Sequence, residues 1–298
     1  MTMSVPLPHV AQPSSPTEYV LTITCPDRPV LVADVTRYIF ECGGNIVESQ
    51  QFEDRLTTRF FMRVHFVTVS GGLGPDELRT AFAPIGAKRA MTWEMWNARD
   101  PYRTLIMVSK LGHCLNDLLF RWSTGSLNIE VPAVVSNHTD LAPLAAAYGI
   151  PFHHIPVTPD TKQQADARLR ELVGELDIHL VVLARYMQVL SDDFALSLPD
   201  RILNIHHSFL PSFKGAKPYH QAFARGVKLV GATAHFVTPE LDEGPIIEQD
   251  ILRVDHRLGP EELVTAGQEI ESRVLTRAVR WRTDNRVLLN GDRTVVFS

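Results

Sequence analysis

The pattern of apolar residues changes near Arg99-Asp100-Pro101, and this change constrains the fold more than any other feature. Before it, over residues 18–98, strand-like and helical patterns alternate as strand, helix, strand, strand, helix, strand. After it, over residues 99–298, short apolar strands alternate with helical stretches, which is typical of a parallel sheet covered by helices. A chain of 298 residues is long enough for two domains of ordinary size. We therefore predict an α+β domain followed by an α/β domain.

The N-terminal segment differs in composition from the six elements that follow it. Its prolines stand among small polar residues, and such a segment buries too little apolar surface to order by itself, so we predict a flexible leader over residues 1–17. The next elements have the order βαββαβ, which predicts a ferredoxin-like sandwich. We place strands at Tyr19–Thr24, Asn45–Phe52, Thr58–Val69 and Met91–Trp96, and helices at about Val32–Phe40 and Pro75–Lys88.

Two motifs in this half resemble those of ACT domains, the small regulatory modules that bind amino acids. They are Cys25-Pro26-Asp27-Arg28-Pro29 and Gly43-Gly44-Asn45-Ile46, and the resemblance covers about residues 18–97. In such modules the turn after the first strand and the start of the second strand face each other and hold the effector. The resemblance therefore implies a homo-oligomer with an amino-acid effector, bound by Asp27, Arg28, Asn45 and Ile46.

Val30 departs from the ACT pattern, because the family often has glycine at this position. A β-branched side chain in a turn that normally exposes its backbone can block a ligand. The alternative is that this unit binds no amino acid and serves only contacts between subunits.

The second half alternates strands and helices, which predicts a mostly parallel, doubly wound, Rossmann-like sheet. The Val181-Val182-Leu183 run suits burial on both faces of such a sheet. Ligands bind there beyond the carboxyl ends of the strands. We place strands at Thr104–Val108, Glu130–Val135, Phe152–Ile155, His179–Leu183, Ile202–Asn204, Val230–Phe236 and Ile246–Val254, and helices at about 114–123, 140–148, 161–175 and 260–281.

Three strands of this predicted sheet lead into segments that can form a ligand site. Two of them supply polar side chains and the third supplies an apolar surface. Asn204 and His206 leave one strand, and the alternation of side chains sends both to the same side. Asp242 lies in the turn that follows a second strand, from which its carboxylate can reach an imidazole. The third segment, Leu183–Leu190, is largely apolar and makes a flat wall. We expect the three segments to meet around one ligand.

An amide, an imidazole and a carboxylate in this arrangement suit attack on a carbonyl group. The attack creates an oxyanion, which a neutral amide donor such as Asn204 stabilises without titrating. His206 beside Asp242 can polarise the carbonyl, move a proton near neutral pH or orient water. Each residue also has an ordinary explanation: Asn204 as a helix cap, His206 as a buried hydrogen-bonded histidine, and Asp242 as a turn residue.

The motifs Asn204-Ile205-His206, Leu210-Pro211-Ser212-Phe213, His235 and Leu241–Ile247 together resemble the folate-dependent formyltransferase and hydrolase family. The match covers about residues 102–285. It implies that Asn204, His206 and Asp242 are catalytic. It also implies a set of residues that bind the folate substrate, namely Met187, Gln188, Val189, Leu190, His207, His235 and Gly244.

Within that family, the sequence favours water as the acceptor of the formyl group. The ribonucleotide transferases cradle a phosphate in a Gly- and Ser-rich loop, where this chain has Leu111 and His113 in the segment 109–116. The transferases usually carry proline where this chain has His207, and the hydrolases share its N-terminal ACT-like unit. About ten residues follow Asn285, enough for one hairpin but not for the basic domain of the tRNA transferases.

We therefore expect hydrolysis of 10-formyltetrahydrofolate to formate and tetrahydrofolate, which supplies formate and balances one-carbon pools for purine synthesis. Lys214 and Arg185 are candidates to meet the glutamate carboxylates of the folate. Two alternatives remain: formyl transfer to a small unphosphorylated amine, and a non-catalytic sensor of folate or an amino acid.

Composition limits the other function classes. A formal charge of -5 gives no general basic surface for a phosphate backbone, so nucleic acid is not an expected partner. The three cysteines are widely spaced, no apolar run is long enough to span a bilayer, and we expect a cytoplasmic protein with no membrane partner. The histidines lack the spacing of a metal site, so we expect no metal and no cofactor beyond the folate substrate and water.

Overall fold

The computed structural model describes residues 16–68, 72–210 and 218–298. The chain divides into two compact units between Arg99 and Asp100, and each unit has its own apolar core. Most of the predicted leader lies outside the described residues. Its last residue, Thr17, is the first residue of a strand, so the predicted leader extends too far at that point.

The N-terminal unit has the predicted order βαββαβ. Its four strands form an antiparallel sheet in the order β2-β3-β1-β4, which is the ferredoxin-like arrangement. Leu21 and Phe66 on the sheet pack with Val35, Leu78 and Phe82 of the two helices in one buried core. The elements are β1 (Thr17–Pro26), α1 (Leu31–Glu41), β2 (Gly44–Asp54), β3 (Arg59–Thr68), α2 (Pro75–Arg89) and β4 (Thr92–Asn97).

Val30 has a left-handed backbone conformation, with a φ of 73° and a ψ of 0°, immediately before α1. A side chain with a branched Cβ is strained in this region, which glycine occupies without cost. The glycine that the ACT pattern often has here therefore matches the backbone that the turn requires. Val30 keeps the conformation and adds a half-exposed side chain at the turn.

The second unit is built on a seven-stranded mixed sheet in the order β11-β10-β9-β8-β5-β6-β7. The five neighbouring strands β9, β8, β5, β6 and β7 are parallel to one another, as predicted. The strands are β5 (Tyr102–Val108), β6 (Ile129–Ser136), β7 (Phe152–His154), β8 (Leu180–Leu183), β9 (Ile202–His206), β10 (Leu229–Phe236) and β11 (Ile246–Arg253).

Six helices accompany this sheet in the described chain, and α8 is the longest. It begins at Pro260, where the side chain of Glu262 accepts a hydrogen bond from the backbone N–H of Gly259 at 2.6 Å. The short helices α6 and α7 were not predicted. The helices are α3 (His113–Ser123), α4 (Ala142–Ala147), α5 (Lys162–Glu175), α6 (Asp192–Ser197), α7 (Pro218–Arg225) and α8 (Pro260–Thr283).

Strand β10 is antiparallel to both of its neighbours, β9 and β11, within the mostly parallel sheet that the sequence predicts. The carboxyl end of β10 therefore lies beside the amino end of β9. Binding sites beyond the carboxyl ends of parallel strands do not by themselves explain the position of Asp242. The loop between β10 and β11 returns the chain so that Asp242 lies beside His206, at the carboxyl end of β9. The predicted C-terminal hairpin is confirmed as β12 (Val287–Asn290) and β13 (Arg293–Val296). Within the described residues, no helix combines the length and hydropathy needed to cross a bilayer.

Candidate active site

A cavity of about 250 Å³ lies where β8 and β9 end, and the loop from Val237 to Asp242 forms another side of it. The cavity brings together the three segments that the sequence singled out. Its apolar rim includes Met187, Val189 and Leu241, each more than half exposed. Nine of the predicted site residues line it, namely Met187, Gln188, Val189, Leu190, Asn204, His206, His207, His235 and Asp242.

Strand pairing sets the position of the amide and one imidazole. Asn204 on β9 is directly opposite His235 on β10, and Nδ2 of Asn204 lies 3.2 Å from Nε2 of His235. Nδ1 of His235 donates to the backbone carbonyl of Phe236 at 2.8 Å. Burial lowers the pKa of His235, so the ring is neutral and Nε2 must accept. Only the NH₂ group of Asn204 can face that lone pair, which fixes the orientation of the amide.

Asp242 reaches the same cluster from the loop between β10 and β11. Its backbone is left-handed, with a φ of 59°, a conformation that Asp and Asn tolerate better than most residues. Its Oδ2 lies 3.2 Å from Nδ1 of His206, and its Oδ1 lies 3.7 Å from Nε2 of His235. The carboxylate therefore meets both imidazoles across the strand pair.

Gly244 allows this loop to return, but it is not among the residues that line the cavity. A Cβ at this position would lie 1.8 Å from the carbonyl oxygen of Phe236, so no side chain fits. The glycine is required where the loop passes close to the end of β10. Its predicted role in substrate binding thus becomes a role in placing Asp242.

The charges of the cluster follow from its hydrogen bonds. The hydrogen bond from His206 holds the pKa of Asp242 below its usual range, so the carboxylate is ionised at neutral pH. Nδ1 of His206 is the atom that faces this carboxylate, which favours a proton on Nδ1 and a lone pair on Nε2. Within the described chain, Nε2 of His206 has no hydrogen-bond partner. The ring is therefore able to take a proton from a group in the cavity.

Arg185, a predicted candidate to meet a glutamate carboxylate of the folate, lines the cavity and is buried. It is 9% exposed, its Nη1 donates to Nδ1 of His207, and its Nε lies 3.3 Å from Oε2 of Glu271. The guanidinium is therefore already engaged inside the protein. Lys214, the other candidate for that role, lies outside the described residues.

Glu271 on α8 is a functional candidate that the sequence reading missed. It is 1% exposed and accepts hydrogen bonds at 2.7 Å from Nε2 of His113 and at 2.8 Å from the hydroxyl of Tyr219. A signal was present, because Glu271 interrupts the buried face of α8 between Ile270 and Val274. A charged residue in such a row requires a partner.

His113, Cys114 and Glu271 also bring three potential metal ligands within 4.8 Å of one another. Glu271 is 158 residues from His113 in the sequence, so a search for closely spaced metal ligands does not find this group. Both oxygens of Glu271 already have partners, and burial raises the pKa of the Cys114 thiol, which keeps it protonated. The chemistry of this group therefore suits a hydrogen-bonded cluster better than a metal centre.

Ser109, at the end of β5, is a second residue that the sequence did not single out individually. Its hydroxyl donates to Oδ1 of Asn137 at 2.7 Å and accepts from the backbone N–H of Met187 at 2.9 Å. Ser109 therefore holds the segment that begins at Met187, which forms the apolar wall of the cavity. His113, in the same loop, is tied to Glu271, and Leu111 is 43% exposed.

The predicted effector residues are only partly brought together. Asp27 and Arg28 line a separate cavity of about 660 Å³ in the N-terminal unit. Asn45 and Ile46 do not line it, and Ile46 packs on the core. Pro26 and Asp54 both pair with Arg59, so the turn after β1 lies beside the end of β2, not its start. The expectation that the turn faces the start of β2 within one chain is therefore wrong.

The family model for formyl transferases matches residues 102–279, the part of the chain that forms the mixed sheet and the cavity. This match defines the second unit as a formyl transferase domain. The crystal structure of glycinamide ribonucleotide transformylase 1 from Symbiobacterium toebii is similar, with a TM-score of 0.63 and 31% identity, over 67% of this chain and 95% of that one.

Other relatives match nearly the whole chain. The formyltetrahydrofolate deformylase of Corynebacterium sp. (strain P-1) is 52% identical over 95% of this chain and 99% of its own length. That of Bacillus subtilis is 46% identical over 93% of both chains. The crystal structure of the Burkholderia mallei enzyme has a TM-score of 0.91 and 51% identity, and covers 95% of this chain and 100% of that one. The chain belongs to the formyltetrahydrofolate deformylase family.

Proposed function

We propose that this chain hydrolyses 10-formyltetrahydrofolate to formate and tetrahydrofolate, with Asn204, His206 and Asp242 as the catalytic residues and water as the nucleophile. The observation that carries the proposal is the contact of His206 with Asp242 beside Asn204 in one cavity. The family relationship and the names of its members support the same substrate and reaction.

The water attacks the formyl carbon, and Nε2 of His206 takes one of its protons. The oxyanion that forms accepts a hydrogen bond from the second N–H of Asn204, because the first faces His235. The charge of Asp242 stabilises the imidazolium. When the bond between the formyl carbon and the folate nitrogen breaks, the imidazolium returns its proton to that nitrogen. Tetrahydrofolate and formic acid result, the acid ionises to formate and a proton, and no cofactor takes part.

The apolar rim supports a flat aromatic ligand. Met187 and Val189 on one side and Leu241 on the other offer exposed apolar surface, and burial of such surface against a ring is favourable. Backbone groups of residues 188–190 are candidates for polar contacts at the ring edge, whereas the N–H of Met187 is bonded to Ser109. The anchor from Ser109 to Met187 keeps this wall in place.

Features of the loop after β5 support water over a phosphorylated acceptor. Ser109 and His113 are both occupied by internal partners, and a buried carboxylate, Glu271, lies behind them. Because His113 and Arg185 are already paired with this carboxylate, neither side chain is available to bind a phosphate. A small unphosphorylated amine is not excluded by this argument and forms a separate arm of the test.

The test is formate release from 10-formyltetrahydrofolate by the purified protein without an added acceptor. We expect steady release that is lost in Asp242→Asn. Folate binding without release, followed by release of tetrahydrofolate only after small amines are added, would replace hydrolysis by transfer. Binding without turnover under all conditions would leave a sensor.

We further propose that the N-terminal unit is an ACT-like regulatory domain of a homo-oligomer. Asp27 and Arg28 offer opposite charges in one cavity, which suits the amino and carboxylate groups of an amino acid. Asp27→Asn should then change the response to an amino acid without changing basal turnover. Asn45→Ser is the matched control, because Asn45 lies outside that cavity. Formate supply for purine synthesis also remains a proposal.

A further inference from the structure

Arg185, two residues after the end of β8, has a backbone conformation that non-glycine residues rarely adopt. Its φ is 67°, and its carbonyl accepts a hydrogen bond from the backbone N–H of Ser109 at 3.2 Å. Such a conformation is strained and persists only where the surroundings impose it. This backbone conformation places the buried guanidinium of Arg185 at the lining of the candidate active site.

Glu271 anchors this guanidinium. Burial acts to raise the pKa of Glu271, but the hydrogen bond from His113 and the charge of Arg185 outweigh it and lower the pKa. The carboxylate is therefore ionised, and Nε of Arg185 lies 3.3 Å from its Oε2, an ion pair without the geometry of a hydrogen bond. Because His113 and Tyr219 hold the same carboxylate, the anchor is itself fixed.

The other end of Arg185 fixes the proton on His207. Nη1 of Arg185 contacts Nδ1 of His207, and a guanidinium can donate hydrogen bonds but cannot accept them. Nδ1 must therefore present its lone pair, and the neutral ring must carry its proton on Nε2. An imidazolium, which donates from both nitrogens, is incompatible with this contact.

His206, the adjacent residue, has the opposite arrangement. Its Nδ1 faces the carboxylate of Asp242, so the neutral ring carries its proton on Nδ1 and its lone pair on Nε2. The rings of His206 and His207 are stacked, with their centroids 5.0 Å apart and their planes 17° apart. Two neighbouring imidazoles that line one cavity are thus held in opposite tautomers.

We propose that Arg185, anchored by Glu271, is a positioning residue that holds His207 in the neutral form protonated on Nε2, so that His206 is the base of the pair. In this form His207 is a hydrogen-bond donor toward any further partner and does not compete with His206 for the proton of the water. The catalytic part of this inference rests on the proposed hydrolysis, whereas the tautomers do not.

The tautomers are measured directly by ¹⁵N-resolved NMR of histidine-labelled protein, with signals assigned through His206→Gln and His207→Gln. We expect His206 to be protonated on Nδ1 and His207 on Nε2. In Arg185→Met, which keeps an unbranched chain but removes the donor, His207 should become a mixture of forms. A wild-type His207 protonated on Nδ1, or one that Arg185→Met leaves unchanged, would overturn the inference.

Kinetics then test whether the tautomer matters. Arg185→Met should lower kcat by about tenfold or more and change KM by less than about twofold, as for other residues that orient an active group. In a His207→Asn background the same change should alter kcat less than about twofold, because its target is gone. Additive losses, or normal turnover in His207→Asn, would contradict a role through His207.

Two further variants guard against loss of folding. Arg185→Lys keeps a charge beside Glu271, but a single ammonium cannot contact Glu271 and His207 in the way of the wider guanidinium. It should also lower kcat. Arg103→Lys, which alters an arginine paired with Glu130 at 2.6 Å elsewhere in the same unit, should leave kcat unchanged. If the wild type releases no formate, the proposed function fails, while the NMR result still decides the tautomers.

Discussion

Nδ1 of His206 lies 3.2 Å from Oδ2 of Asp242, and this contact joins a parallel strand to a loop between two antiparallel ones. His206 is held by the sheet, whereas Asp242 is held by the loop whose return depends on Gly244. The pair therefore combines a rigid imidazole with a carboxylate placed by tertiary structure. Its consequences can be measured.

Asp242→Asn removes the charge that orients and stabilises His206. Asn tolerates the left-handed backbone of this position, so the fold should persist. We expect kcat to fall at least about a hundredfold, the usual contribution of general acid–base catalysis. Steady-state formate release measures it, with Asp160→Asn, an exposed carboxylate, as the control. Near-normal turnover in Asp242→Asn would remove the residue from the mechanism.

Asn204→Ala removes the proposed oxyanion donor, and we expect kcat to fall about a hundredfold to a thousandfold. His235→Phe keeps the ring but removes the lone pair that fixes the amide of Asn204. It should lower kcat alone and have little further effect in the Asn204→Ala background. Equal losses in both backgrounds would show that His235 acts on the reaction independently.

Ser109→Ala removes the hydroxyl that holds the N–H of Met187 and the side chain of Asn137. Because the wall of the cavity then loses its anchor, we expect KM to rise several-fold with a smaller change in kcat. The lost hydrogen bonds should lower the free energy of unfolding by about 1–3 kcal/mol. Ser123→Ala, at an exposed hydroxyl that bonds only within its own helix, is the matched control. An unchanged KM would argue against the anchor.

The ionisation of Asp242 should contribute to the pH dependence of stability. Its pKa is lowered in the folded state, so the carboxylate stabilises the fold above the unfolded-state value of about 3.9, and this contribution is lost as the pH falls through the lower folded value. Urea unfolding at a series of pH values from 6 to 3, in roughly half-unit steps, should therefore show a shallower loss of stability in Asp242→Asn. Parallel curves for the two proteins would refute the shift.

Val30→Gly should stabilise the N-terminal unit. The left-handed conformation costs a side-chain-bearing residue roughly 1–2 kcal/mol, whereas the greater freedom of glycine in the unfolded chain offsets about 0.4–1 kcal/mol. We expect a gain of up to about 1.6 kcal/mol in the free energy of unfolding. Val47→Gly, at a similarly exposed valine in β2, should instead be destabilising. A loss of stability in Val30→Gly would show that its side chain makes a compensating contact.

The sequence by itself determined the order of most elements and the residues of the candidate site. Side-chain periodicity is local, so the alternation in β9 was enough to send Asn204 and His206 to one side, and long helices such as α8 were visible in their spacing. The residue types are compatible with acyl transfer or hydrolysis, because an amide can stabilise an oxyanion and an imidazole beside a carboxylate can move a proton.

Tertiary structure decided what no local pattern encodes. It set the antiparallel direction of β10 and paired His235 with Asn204. It also placed Asn45 at the end of the N-terminal sheet opposite to the turn that contains Asp27. It also brought Glu271 to His113, 158 residues away, and so anchored Arg185. The physical reason is that strand direction and buried charge pairs depend on which distant surfaces pack together, and a buried carboxylate is stable only where the whole fold supplies its partners.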